Sequence, residues 1–167
     1  MSDSAPDLRL RPAVHADLQT VTEIYNKGIR GRTATFETKE REPEELEVWL
    51  SLPYPFLVAE ADNAVIGWVA GSAYSERDCY RGIMSFSVYV KSGGRGQGVG
   101  RALMTALIAA SEAAGFHKLT SRIFPENEAS LALMASCGFR VVGKHLRHAQ
   151  LDGFWRDVVV VEKPLGS

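Results

Sequence analysis

Val88-Tyr89-Val90-Lys91-Ser92-Gly93-Gly94-Arg95-Gly96-Gln97-Gly98-Val99-Gly100-Arg101 is the stretch on which the reading of this chain turns. A strand-like run from Ser87 to Val90 ends in a glycine-dense turn. Beyond it Val99, Ala102, Leu103, Ala106, Leu107 and Ala110 recur at helical spacing. Strand, glycine loop and helix in that order build an anion site. Successive glycines let the backbone approach a ligand with no Cβ atoms in the way. The first N–H groups of the following helix have no intrahelical partner and point at whatever lies there. A phosphate or pyrophosphate is the guest such a loop favours; a glycine-rich turn with no ligand is the plain alternative.

Two familiar phosphate loops fail on the letters. A P-loop needs G-x-x-x-x-G-K-[ST], and no lysine followed by serine or threonine stands at this helix start. A dinucleotide fingerprint needs G-x-G-x-x-G, but Gly94-x-Gly96 leads to Val99 and Gly96-x-Gly98 leads to Arg101. No acid stands near positions 116–122 to take a ribose hydroxyl.

The 167 residues are read as a single domain over 1–167, with a disordered N-terminus at 1–7. A net charge of −1 argues against nucleic acid as the main partner, although Lys and Arg gather between Arg140 and Arg147. No apolar run reaches membrane-spanning length, and the acidic, polar start is not a signal peptide. Cys79 and Cys137 lie far apart without metal spacing, so no metal site is expected and the cytoplasm is the default compartment.

Leu8 and Leu10 alternate with Arg9 and Arg11 in a short first strand stopped by Pro12. Leu18, Val21, Ile24 and Tyr25 predict a helix from about Asp17 to Lys27, followed by a loop from Gly28 to Thr35. Pro43 opens a second helix, with Glu44 and Glu45 complementing its dipole and Leu46, Trp49 and Leu50 on its buried face. Phe56–Ala61 and Val65–Tyr74 form a hairpin through Asp62-Asn63. A polar connection, Ser75–Arg81, precedes a strand at Ile83–Val90. After the glycine-loop helix, Gly115 caps its C-terminus and Lys118–Ile123 is a strand. Asn127 stands as N-cap before a short helix ending at Gly138; strands follow at Phe139–Arg147 and Trp155–Lys163. The order is read as βααββββαβαββ, an α+β fold with a mixed, mostly antiparallel central sheet and helices on both faces.

Arg95-Gly96-Gln97-Gly98-Val99-Gly100 fits the R/Q-x-x-G-x-G/A pattern of the GNAT acetyltransferases. Leu10-Arg11-Pro12, Asp17-Leu18, Ile24-Tyr25-Asn26, Ala34-Thr35-Phe36 and Ser87-Val88-Tyr89-Val90 resemble the phosphinothricin/methionine-sulfoximine acetyltransferase branch of that superfamily. So do Asn127-Glu128-Ala129-Ser130, Cys137-Gly138-Phe139 and Gly153-Phe154-Trp155-Arg156-Asp157. The resemblance implies a GNAT-type fold and an acetyl-CoA-dependent N-acetyltransferase acting on the primary amine of a small amino-acid-like molecule, working as a homodimer. It implies that backbone groups of Val88, Tyr89 and Val90 pair with the pantetheine arm. N–H groups from Gly96 through Gln97, Gly98, Val99 and Gly100 to Arg101 hold the pyrophosphate, with charge from Arg95 or Arg101. Asn127 and Ser130 approach from the next helix. A backbone N–H near Tyr89 polarises the thioester. The substrate pocket lies between the loop at Thr33 to Phe36 and the segment Tyr74 to Ser85, making Thr35, Phe36, Tyr74 and Arg77 its candidate lining.

The chain departs from the branch at one position. A glutamate usually stands two residues before the serine of Ser87-Val88-Tyr89-Val90, and here that position is Ser85, a hydroxyl too weak to replace a carboxylate base. Glu37 and Glu76 are the carboxylates left as alternative bases, with Asp78 nearby. The branch's substrate-binding arginine shortly after Tyr74 is also missing at Ser75. A coenzyme-A-binding module with little transfer activity is therefore the second reading. Several residues have plainer explanations: Asn127 as a cap, Tyr89 and Cys137 as core. Cys79, beside Arg77 and Arg81, has no evident histidine partner. His145 and His148, three apart on a strand, are expected on opposite faces, which argues against a metal site.

Overall fold

The computed structural model describes residues 7–92 and 98–166. Seven strands form one sheet: β1 (Arg9–Pro12), β2 (Phe56–Ala61), β3 (Ala64–Ala73), β4 (Ile83–Val90), β5 (Lys118–Ile123), β6 (Arg140–Leu151) and β7 (Phe154–Pro164). The spatial order is β1-β2-β3-β4-β5-β7-β6. Every neighbouring pair is antiparallel except β4 with β5. Helices α1 (Leu18–Gly31), α2 (Val99–Ala113) and α3 (Glu128–Ser136) are joined by a 3-10 helix at Pro43–Leu50. The order is thus βααβββαβαββ once the 3-10 helix is counted. Three strands, not four, stand between the second helix and the glycine loop, because Phe56–Val90 holds two hairpin connections and no more.

Alternation along the strands buries the sheet on both faces. In β3, Trp68 faces α1 and the 3-10 helix, among Leu18, Val21, Ile29, Leu46 and Val58. Its neighbour Val69 faces the other way, into the layer of Leu103, Met104, Leu107 and Met134 from α2 and α3. Each fully buried side chain of this kind contributes about 1.5–3 kcal/mol of transfer free energy.

Entry into α1 is pinned by charge. Arg11 on β1 donates to both oxygens of Asp17, at 2.7 and 2.9 Å, and its Nε donates to Glu60 Oε2 at 3.1 Å. The Val14 N–H donates to Asp17 Oδ2 at 2.8 Å. The Arg11 hydrogen bond, helped by Val14 and opposed by burial, holds the Asp17 carboxyl below its usual range.

The β6–β7 hairpin differs from expectation in two ways. The first is β6, which runs on to Leu151, so that Asp152-Gly153 alone turns into β7. The second is a bulge within it. The register breaks between His145 and Ala149, and Arg147 takes φ 50°, a left-handed conformation uncommon for arginine. Its N–H donates to Asp157 Oδ1 at 2.8 Å, which fixes the bulge. Leu146, Arg147 and His148 stand there opposite Asp157 alone, so regular alternation is lost across the bulge. His145 and His148 therefore share a face, with rings stacked at 4.2 Å and 15°, instead of pointing apart.

Candidate active site

The feature that makes a site is where β4 and β5 part. Their parallel pairing covers only Ile83–Ser85 with Lys118–Thr120. One further link, from Ser121 Oγ to the Phe86 carbonyl at 3.4 Å, marks the last contact before the strands diverge. Val88, Tyr89 and Val90 pair with β3 on one side, and among the described residues no strand takes their other edge. A strand edge left open between two packed layers is a place for an extended ligand.

Beside it begins α2. Gly98 is its N-cap, in the left-handed region at φ 77°, and Val99, Gly100 and Arg101 form its first turn. Glycine at Gly100 permits a close approach, since a Cβ there would meet Leu133 Cδ2 of α3 at 3.0 Å. Arg95, Gly96 and Gln97 lie outside the described residues.

A cleft of about 920 Å³ opens from the parting of the strands. Thr35, Phe36, Tyr74, Ser85, Asn127 and Ser130 all line it, as do Val88, Tyr89 and Glu37. The site therefore gathers these residues from four separated stretches of chain. Glu76 and Arg77 are not brought to it. β3 ends at Ala73, and the chain turns outward into a short 3-10 turn at Asp78–Tyr80. Glu76 is exposed there, and the Arg77 guanidinium lies over the Tyr80 ring at 5.6 Å.

The Tyr89 ring stacks on Trp68 at 4.9 Å and packs on Tyr25 at 5.2 Å. Gly28 of α1 makes room for it, because a Cβ there would stand 2.5 Å from the ring. Burial above all, then Tyr25, pushes its phenol pKa up; a hydrogen bond from Thr35 opposes the shift and Glu37 adds to it. The phenol stays protonated, so its ring acts as a wall and not as a base. Glu37 accepts from Arg41 Nη2 at 3.1 Å. Glu162, also in the cleft, holds Lys118 at 3.3 Å and Arg140 at 2.7 Å. Burial raises its pKa, but the Arg140 and Lys118 hydrogen bonds outweigh that and lower it.

Asn127 does what its position predicts and more. Its Oδ1 accepts the Ser130 N–H at 3.2 Å as a cap, and its Nδ2 donates to the Thr33 carbonyl at 3.3 Å. The loop carrying Thr35 and Phe36 is thereby tied to α3. Arg156 secures the same loop, donating to the Arg32 carbonyl at 3.4 Å while pairing with Glu126 at 3.2 Å and lying over Phe124 at 4.3 Å. Phe36 meets Phe124 edge-on at 4.7 Å. The Asn127–Thr33 and Arg156–Arg32 hydrogen bonds join residues more than ninety positions apart, and no spacing in the sequence signals them.

The chain belongs to the acetyltransferase (GNAT) family, whose profile matches residues 19–139. It is 34% identical to a phosphinothricin N-acetyltransferase of Streptomyces coelicolor, over 95% of this chain and 97% of that one. It is 30% identical to an L-methionine sulfoximine/L-methionine sulfone acetyltransferase of Pseudomonas paraeruginosa, over 92% of each chain. The fold superposes with a TM-score of 0.89 on a GNAT superfamily phosphinothricin acetyltransferase from Sinorhizobium meliloti in complex with acetyl-CoA. That protein is 32% identical, over 95% of this chain and 89% of that one.

Proposed function

We propose that the protein transfers acetyl from acetyl-CoA to the primary amine of a small amino-acid-like molecule, by direct attack within a ternary complex. The observation that carries this reading is the open β4 edge beyond Ser85, whose Ser87, Val88 and Tyr89 line the cleft. In this reading backbone groups of Val88, Tyr89 and Val90 hold the pantetheine arm. N–H groups from Gly96 to Arg101 hold the pyrophosphate, with charge from Arg95 or Arg101, and Asn127 and Ser130 close on the coenzyme from α3. Acetyl-CoA supplies the acetyl group as a thioester. The amine nitrogen bonds to its carbonyl carbon as the carbon–sulfur bond breaks. Sulfur leaves as thiolate and is protonated, and the nitrogen gives up a proton. A backbone N–H near Tyr89 steadies charge on the carbonyl oxygen.

The proton's first acceptor is what Ser85 puts in question. Ser85 lines the cleft, cross-strand from Thr120, and a hydroxyl there passes the proton through water. Wild-type transfer, followed as release of free thiol from acetyl-CoA over a panel of amines, should rise steeply with pH. Ser85→Glu should raise the rate about tenfold at pH 7 and flatten the profile, a small part of the 10²–10⁴-fold available to a positioned base. If Glu37 already serves, Ser85→Glu gains nothing and Glu37→Gln costs at least tenfold. Absence of transfer to every amine, with acetyl-CoA still bound, would favour the second reading, a coenzyme-A-binding module.

We infer a homodimer as well. Val141, Val142, Leu146, Phe154 and Trp155 leave the β6–β7 hairpin with an exposed apolar surface. A mass of 18.3 kDa by light scattering would rule it out. Among the described residues no helix is long and apolar enough to cross a membrane. We place the reaction in the cytoplasm, which keeps Cys79 and Cys137 as free thiols; recovery of the protein outside the soluble cell fraction would contradict this.

A further inference from the structure

We propose that Arg122, His145 and His148 form a seat for an acidic group carried by the acceptor at a distance from its amine. The inference rests on reading the cleft as the acceptor site. All three residues line that cleft, on its side away from α1. The bulge at Arg147 is what brings the two imidazoles there together, stacked at 4.2 Å. Arg147 itself is sent elsewhere, its guanidinium lying over Trp155 at 5.3 Å. Without the bulge, strand alternation would turn one imidazole away.

Register places Arg122 relative to the pair. Arg122 is opposite Val160, and on the same face Val158 is opposite His145. Arg122 and His145 thus lie on one face of the sheet, two strands and one two-residue step apart, with Val160 between them and Val158 buried among Phe124, Leu151 and Phe36. The polar end of an acceptor can lie between Arg122 and the imidazoles.

Charge selects an anion for that end. The carboxylates of the cleft are already committed: Glu37 to Arg41, and Glu162 to Lys118 and Arg140. Among the described residues Arg122 makes no ion pair. The neighbouring hydroxyls are committed too, Thr120 Oγ1 to the Val161 carbonyl at 3.0 Å and Ser121 Oγ to Phe86. What remains to meet a ligand is a guanidinium, which binds carboxylate or phosphorus-acid oxygens in a fork, and two imidazoles able to donate hydrogen bonds.

Length narrows the class. Ser85, where the amine's proton is first passed on, is cross-strand from Thr120, and Arg122 is two residues further along β5, about 6–7 Å. An α-amino acid with an acidic side chain of two or three carbons spans that interval. Arg122, His145 and His148 would then be specificity-determining residues, choosing acidic over neutral acceptors.

The test compares glutamate and phosphinothricin with glutamine as acceptors, using the full chain and thiol release. Arg122→Gln should raise KM for the two acidic acceptors about tenfold, leaving KM for glutamine and for acetyl-CoA unchanged. Arg122→Lys should recover part of the loss. Joint replacement of His145 and His148 by Phe, which keeps a flat pair, should raise KM for the acidic acceptors three- to tenfold. Equal effects on glutamate and glutamine, or a wild type that prefers glutamine, would overturn the seat while leaving N-acetyl transfer intact. If no acceptor is turned over, titration of phosphinothricin into protein saturated with coenzyme A decides. Binding that weakens tenfold in Arg122→Gln supports the seat, and no binding to wild type overturns it.

Discussion

Replacing Gly98 with valine should weaken acetyl-CoA binding about 100-fold while lowering the melting temperature by only a few degrees. Gly98 caps α2 in the left-handed region, which costs an ordinary residue roughly 1–2 kcal/mol and a β-branched one more. A Cβ at this position meets no atom of the described residues within 4 Å, so they leave room for the new side chain. In the proposed reading that open space is where the pyrophosphate approaches the first N–H groups of the helix. Losing one or two hydrogen bonds to a charged group, at about 1.5–3 kcal/mol each, accounts for a change of this size. Gly98→Asn, which tolerates the left-handed region, should keep more of the affinity. Calorimetric titration with acetyl-CoA beside a thermal melt makes the measurement. A valine variant that folds and binds like wild type would mean the phosphate lies elsewhere.

Asp17→Asn should cost about 3 kcal/mol of stability, the low end for breaking a buried ion pair. In a domain of this size that is roughly 6–12 °C in melting temperature. Asp17 is only 6% exposed and accepts three hydrogen bonds, two from Arg11 and one from Val14. The amide keeps the shape and loses the charge, leaving Arg11 with Glu60 alone. Because the folded carboxyl titrates below its unfolded value of about 3.9, its stabilisation is complete above that pH. It drains away as pH falls through the folded value. Stability curves of wild type and variant should therefore lie apart at neutral pH and converge in acid. A constant gap down to pH 2 would remove the charge from the explanation.

Much of this architecture was legible from periodicity and punctuation. Period-two alternation around Trp68 and Val69, the Asp62-Asn63 turn and the Asn127 cap are local signals, each with one strong physical cause. The cleft was legible wherever a motif residue also lies on a strand or cap that faces it, as at Ser85, Tyr89 and Asn127. Position in the chain misled where direction mattered. Glu76 and Arg77 follow Tyr74 closely, yet one short 3-10 turn carries them off the cleft wall. The histidine pair was illegible for a different reason. Its bulge needs an arginine at positive φ and an aspartate ten residues later to hold the N–H. Neither residue type announces such a turn, and simple alternation gives the opposite facing.

The short pairing of β4 with β5 also bears on how the chain assembles. β1 to β4 and β5 to β7 each close mainly by antiparallel neighbours, whereas three residue pairs are all the ladder that joins the two groups. What binds them otherwise is the shared apolar layer, in which Val69 and Met84 from one group meet Leu119 and Val159 from the other under α2 and α3. Side-chain packing yields to small displacements more readily than a row of backbone hydrogen bonds. Opening along this seam needs few bonds broken, so the two groups of strands are poised to breathe against each other as partly independent cooperative units. The cleft lies along that seam, where the molecule can admit and release ligands without unfolding either group.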